Sequence, residues 1–185
     1  MRFAYADPPY LGMAEKLYGH LHPDAADYDR PETHQALIDR LDAEYDGWAV
    51  SLHVPSLRAI LPMCPEDVRI CAWVKPFASF KPNVRQAYAW EPVIVKPLRR
   101  LGKERRTVTD YVSANIAMQK GLPGAKPAQF CHWLFEFAGL DADDEFVDVF
   151  SGTGGVMQAW ERWRSQPSLL LSASPADSPD QLTLA

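Results

Sequence analysis

"FVDVFSGTGGVMQAWERW", residues 146–163, decides the fold. Its opening, Phe146 to Phe150, is a short apolar run with valines at its centre and reads as a buried strand. The run passes directly into Gly152, Gly154 and Gly155, and a helix follows. A strand that turns sharply into a helix sets unpaired helical N–H groups beyond the strand's carboxyl end. Glycines there permit positive φ and close approach of a ligand. Asp148, near the strand end, is placed to receive a cationic group or a hydroxyl. The loop is not the dinucleotide fingerprint, because Met157 stands where "GTGGVM" would need its third glycine.

The same alternation extends upstream. "PETHQALIDRLDAEYDG" (31–47) has Pro31 at a helix start, Leu37, Ile38 and Leu41 on one face, and Gly47 as a stop. "WAVSLHV" (48–54) reads as a buried strand, 55–61 as a short helix and "VRICAWV" (68–74) as another strand. "EPVIVK" (91–96) is a further apolar run, "KPAQFCHWLFEFAGL" (126–140) an amphipathic helix ended by Gly139, and "EFVDVF" (145–150) a strand. Strands alternating with helices predict an α/β fold with a mostly parallel sheet covered by helices. No internal repeat is present. The last residues, 165–185, hold one candidate strand at "SLLLS", but their Ser, Pro and Ala content predicts a partly disordered tail behind a single domain at 1–164.

At the other end of the chain, "RFAYA" reads as a first strand, since Phe3 and Tyr5 alternate with small residues. "DPPY" follows at residues 7–10. Each proline fixes its own φ and lacks an N–H, and Pro9 holds Pro8 out of the helical region, so the chain leaves the sheet extended and stiff. Asp7 and Tyr10 are thereby presented as a rigid pair at a strand end.

The 185 residues suffice for one domain with a real core, and a composition 47% hydrophobic and 11% aromatic is globular. A net charge of −5 argues against adhesion to nucleic acid by the whole surface but leaves room for a local basic stripe. Cys64, Cys71 and Cys131 are odd in number, lie in apolar contexts and lack metal-ligand spacing, which predicts buried thiols in a cytoplasmic protein and no metal site. No run approaches the roughly 18 apolar residues of a membrane span, and a strand and proline turn occupy the place of a signal peptide.

Together, "DPPY" and "DVFSGTGG" resemble the amino-methyltransferases that use S-adenosylmethionine to methylate an exocyclic amine of adenine or cytosine in nucleic acid. The order, with the DPPY motif first and the glycine loop near the end, is similar to the permuted, beta-type arrangement, in which a Lys-Pro pair opens the helix before the cofactor strand. Lys126 and Pro127 occupy that place. The resemblance implies a three-layer, Rossmann-like methyltransferase fold. It implies catalysis at Asp7, Pro8, Pro9 and Tyr10, and a cofactor held by Lys126, Pro127, Asp148, Phe150, Ser151, Gly152, Thr153 and Gly154, with Lys126 reaching the methionine carboxylate. Adenine N6 in DNA is the favoured target. Cytosine N4, RNA adenine and single-stranded substrates are alternatives, as is a catalytically silent partner subunit; a homodimer is compatible. One departure stands out: the acidic residue that the family usually places about 20 residues beyond the loop for the ribose is missing from "SLLLSAS".

The chemistry accounts for the residue types. An exocyclic amine is a poor nucleophile because its lone pair is delocalised into the ring. Hydrogen bonds from its N–H groups to the Asp7 carboxylate and the Pro8 carbonyl favour a pyramidal nitrogen. Tyr10 supplies a stacking platform for a base taken out of its duplex.

For the rest of the substrate, "KPLRRLGKERR" (96–106) sets six basic residues against Glu104. Arg99, Arg100, Lys103, Arg105 and Arg106 are expected to neutralise phosphates from a target-recognition segment at 97–124. A second insert, "LGMAEKLYGHLHPDAADYD" (11–29), or a partner subunit is an alternative carrier of target recognition; the insert's His20, His22 and Asp24 read as part of a surface loop, not a metal site. Lys75, Phe77 and Phe80 are candidates for the wall of a base pocket, whereas His53, Trp73 and Trp90 read as core or wall.

Overall fold

Phe3 and Tyr5 face one side of the first strand while Ala4 and Ala6 face the other, and all four are buried. A strand with two buried faces requires helices above and below it, and that requirement organises the domain. The computed structural model describes residues 1–20, 23–76, 84–116 and 125–165. The candidate strand at "SLLLS", the tail from 166, His22, Phe77 and Phe80 lie outside these residues.

In chain order the elements are β1 (Arg2–Ala6), α1 (Ala14–Tyr18), a 3-10 helix (Pro23–Asp29), α2 (Pro31–Glu44), β2 (Gly47–Ser51), α3 (Val54–Ile60), a 3-10 turn (Leu61–Met63), β3 (Arg69–Val74), β4 (Trp90–Lys96), β5 (Tyr111–Ser113), α4 (Ala128–Ala138), β6 (Glu145–Asp148) and α5 (Gly155–Arg164). The sheet runs β5-β3-β4-β2-β1-β6. β1 pairs in parallel with both β2 and β6, with Tyr5 opposite Asp148, and β3 pairs in parallel with β5. β4 runs antiparallel to both of its neighbours.

One core layer joins Phe3, Tyr5, Trp73 and Val95 to α4 and α5 through Phe130, Leu134, Phe135 and Trp160. Aromatic rings fill much of it; Phe135 meets Phe146 and Trp160 edge-on at 5.1 and 5.2 Å between centroids. The opposite layer joins Ala4, Trp48, Val50 and Ile94 to Leu37, Ile38 and Leu41 of α2 and Ile60 of α3. The result is three layers with the sheet in the middle.

Pro31 stands at the start of α2 and Gly139 ends α4, as the sequence predicts. Three elements depart from the sequence reading. The insert at 11–29 folds into α1 and the 3-10 helix, and the Asp29 carboxylate accepts the Ala14 and Glu15 backbone N–H groups at 2.8 and 3.0 Å, capping α1. β5 forms within a stretch that carried no strand signal. The third departure is the direction of β4, which returns the chain to the amino-terminal edge of β1 and β2, with Lys96 paired to Trp48. Among the described residues no helix is long and apolar enough to cross a membrane.

Candidate active site

β1 lies between β2 and β6, and the chain leaves it toward one side and returns on the other. Such a reversal opens a crevice beyond the carboxyl ends of the two adjacent strands, where open α/β sheets bind ligands. Asp7 follows β1 by one residue, and the loop from Val149 follows β6. The Val149 N–H donates to the Tyr5 carbonyl at 2.9 Å, so the sheet pairing extends to the mouth of the crevice.

The crevice is a cavity of about 650 Å³ lined by Tyr5, Asp7 and Pro9 from the DPPY side, and by Asp148, Phe150, Ser151, Gly152 and Thr153 from the glycine loop. Lys126 lines it as well. The structure thus brings Asp7 and Pro9 of DPPY and the Asp148–Thr153 stretch into one cavity, whereas Pro8, Tyr10, Pro127 and Gly154 are not among its lining residues. Gly152 and Gly154 have φ of 44° and 74°, in the left-handed region that side chains disfavour. A Cβ at Gly154 would meet nothing within 4 Å, and the first helical N–H groups of α5 follow immediately.

Two carboxylate oxygens in this cavity's lining, Asp7 Oδ1 and Asp148 Oδ1, are buried and have no hydrogen-bond partner. Buried polar atoms are ordinarily paired, so these two unpaired oxygens mark the cavity as a candidate site. Burial pushes the Asp148 carboxyl up to about 6, against the Phe150 backbone N–H and with the Asp7 charge adding to the rise. Burial likewise raises Asp7, with Lys126 pulling the other way.

Lys126 is paired within the protein. Its Nζ lies 2.8 Å from Asp7 Oδ2 and 3.7 Å from Glu91 Oε2, with the side chain only 3% exposed. Burial works against this ammonium, but Asp7 and Glu91 outweigh it and its pKa lies above the ordinary lysine value. Pro127 is the N-cap of α4 and delivers Lys126 to this position, so the Lys-Pro pair acts on the carboxylate of the DPPY motif.

Tyr10 stacks on His53 with centroids 5.1 Å apart and planes 7° from parallel. The phenol donates to Glu91 Oε2 at 3.2 Å. Burial, with Asp7 and Glu91 nearby, holds the phenol well above its usual pKa, in keeping with a donor. Burial lowers His53, which keeps the supporting ring neutral. Lys75 closes the network by pairing with Glu91 Oε1.

Sequence reasoning missed Glu91 and the cavity-lining part of the 11–29 insert. Tyr18, Asp24, Ala25 and Tyr28 all line the cavity, and Tyr28 meets Phe150 edge-on at 5.5 Å, so the insert is a wall of the site. Asp24 brings a carboxylate to the same cavity from a segment far from the expected ribose position.

The basic run divides into paired and exposed residues. Arg99 donates to Asp141 Oδ2 and Asp144 Oδ2 at 2.7 Å each, and Arg105 to Asp141 Oδ1 at 2.5 Å. Because β4 is antiparallel, the run emerges at the sheet edge opposite Asp7. Arg99 and Arg105 are therefore engaged within the fold, while Arg100, Lys103 and Arg106 are exposed on that opposite edge. The three thiols are free, and burial pushes them up to about 11 at Cys64 and about 12 at Cys71 and Cys131.

The sequence matches no protein-family model and no curated protein. The structure is similar to the crystal structure of M1.HpyAVI in complex with SAM, with a TM-score of 0.56 at 13% sequence identity over 87% of this chain and 77% of that one. The chain has the α/β, three-layer, Rossmann-like methyltransferase fold with a mostly parallel six-stranded sheet.

Proposed function

We propose that the chain is an S-adenosylmethionine-dependent methyltransferase acting on an exocyclic amine of a nucleic-acid base, adenine N6 in DNA being the favoured target. The observation that supports this most directly is the meeting of Asp7 and the Asp148–Thr153 stretch in one cavity, each side contributing a buried carboxylate oxygen without a partner. The structural neighbour's complex with SAM is consistent with it.

The residues present fit such a cofactor. Asp148 Oδ1 is an acceptor for a cationic or hydroxyl group, Gly152 and Gly154 leave open backbone, and Phe150 offers an apolar face. When bound, S-adenosylmethionine supplies an electrophilic methyl group on a sulfonium. Asp7 Oδ1 and the Pro8 carbonyl accept the two N–H groups of the target amine and turn its lone pair toward that methyl. Tyr10, one face covered by His53, offers its other face to the base. No covalent nucleophile enters, in keeping with thiols whose burial holds them protonated.

The test is incubation of the purified chain with methyl-labelled S-adenosylmethionine and single-stranded or duplex DNA and RNA, followed by nucleoside mass spectrometry. N6-methyldeoxyadenosine is the expected product. Label on cytosine N4 or on RNA adenine would reassign the substrate, and absence of label in every nucleic acid would overturn the proposal.

A further inference from the structure

Glu91 takes no part in the transfer chemistry proposed above, yet the site's charged groups converge on it. It is the second residue of β4, the antiparallel strand, and its side chain is only 16% exposed. Oε1 pairs with Lys75. Oε2 accepts the Tyr10 hydroxyl at 3.2 Å and lies 3.7 Å from Lys126 Nζ. We propose that Glu91 is a positioning residue for methyl transfer: it shares the Lys126 ammonium with Asp7, keeping that ammonium on Oδ2 so that Oδ1 is left without a protein partner. This inference rests on the methyltransferase reading of Asp7.

The argument is one of geometry and charge. An ammonium has three donors and no preferred plane, so a lone carboxylate facing it is readily bridged across both oxygens. A second carboxylate, Glu91, competes for Lys126 from 3.7 Å, and the Trp73 and Phe130 rings lie 5.3 and 6.0 Å from Nζ. Asp7, Glu91, Lys75 and Lys126 form a balanced set of two anions and two cations. Glu91 cannot drift, because Lys75 anchors its other oxygen. The same Oε2 orients the Tyr10 ring, so one carboxylate sets both the amine acceptor and the stacking platform.

Glu91→Gln tests this in the full-length chain, because the amide oxygen still accepts the Tyr10 hydroxyl while the charge is gone. With a labelled cofactor and an adenine-containing oligonucleotide, and below the lowered melting temperature that loss of the Lys75 partner brings, kcat is expected to fall about ten- to a hundredfold through misplacement of the acceptor, with KM for the oligonucleotide little changed. The acid limb of the kcat profile should move to lower pH. Asp7 is faced by Lys126, Lys75, Glu91, Tyr5, Tyr10, Tyr18 and Asp148, and the substitution removes a like charge that raises it.

Adding Lys75→Met separates positioning from charge balance. The double variant again has balanced charge, yet Lys126 is still left to Asp7 alone, so kcat should stay low. Recovery of kcat in the double variant, or wild-type kcat in the single one, would overturn the inference. A second readout needs no turnover: the Lys126 titration, followed by NMR of labelled lysine side chains, should shift downward in Glu91→Gln, and an unchanged titration would also overturn it. Absence of transfer by the wild-type chain would instead remove the methyltransferase reading, and the lysine titration would still decide whether Glu91 holds Lys126.

Discussion

Only one oxygen of Asp7 is engaged: Oδ2 is 2.8 Å from Lys126, and the buried Oδ1 has no partner. Asp7→Asn keeps the shape and leaves Lys126 beside Glu91, so the fold should survive. Loss of a charged acceptor made for the reacting nitrogen should lower kcat by about 10²–10³-fold, comparable to removing one preorganised hydrogen-bonding group from a transition state. Cofactor affinity, read by calorimetry, should be little altered; an equal loss in affinity would move Asp7 from the amine to the cofactor. Asp148 gives the pH counterpart. Burial raises its pKa to about 6, so the carboxylate is present above that pH and protonated below it. Binding of a cationic ligand at its free oxygen should therefore weaken as pH falls through about 6, and Asp148→Asn should flatten that dependence. Both residues were legible in sequence because each belongs to a short motif at a strand end. Glu91 was not, since its partners lie 16, 35 and 81 residues away along the chain and no local pattern encodes them.

Elements were readable in proportion to their length and period. The 14 residues of α2 show an apolar stripe, whereas five-residue α1 and three-residue β5 are too short to show any period. The apolar run of β4 announces a buried strand but carries no mark of direction, and its reversal moved the basic run to the far edge of the sheet. The glycine loop was legible because its steric demand is local. Gly154→Ala tests that demand: at φ 74° with no atom within 4 Å of the new Cβ, left-handed strain is the whole penalty, about 1–2 kcal/mol. A melting curve should show that loss together with weaker cofactor binding. Gly155→Ala is the control, because its φ is ordinary and the nearest atom to the new Cβ is Thr153 Oγ1 at 3.5 Å. Equal effects from the two substitutions would mean that crowding, rather than φ, sets the loop.

At the scale of the whole molecule, the sheet separates chemistry at its carboxyl edge from a charged clasp at its amino edge. Arg99, which follows β4, donates to Asp144 Oδ1 and Oδ2 at 2.8 and 2.7 Å and to the Gly139 carbonyl at 2.7 Å, tying the chain beyond β4 to the turn between α4 and β6. Asp144 is 5% exposed; burial pushes its carboxyl up, but Arg99 and the Asp141 N–H outweigh burial and hold it at about 2. A carboxylate lowered below its unfolded value adds stability above that value and loses it as pH falls through the folded one. Asp144→Asn removes the charge that Arg99 shares with Asp141 and should cost about 1.5–3 kcal/mol at neutral pH, the range for hydrogen bonds to a charged group. In urea titrations the gap between wild type and variant should narrow as pH drops below about 4 and close near 2. Methyl transfer by the folded variant should persist, because the clasp lies across the sheet from Asp7. A gap that stays constant with pH would show that Asp144 acts through its hydrogen bonds alone. Loss of transfer at full folding would show that the two edges of the sheet are coupled.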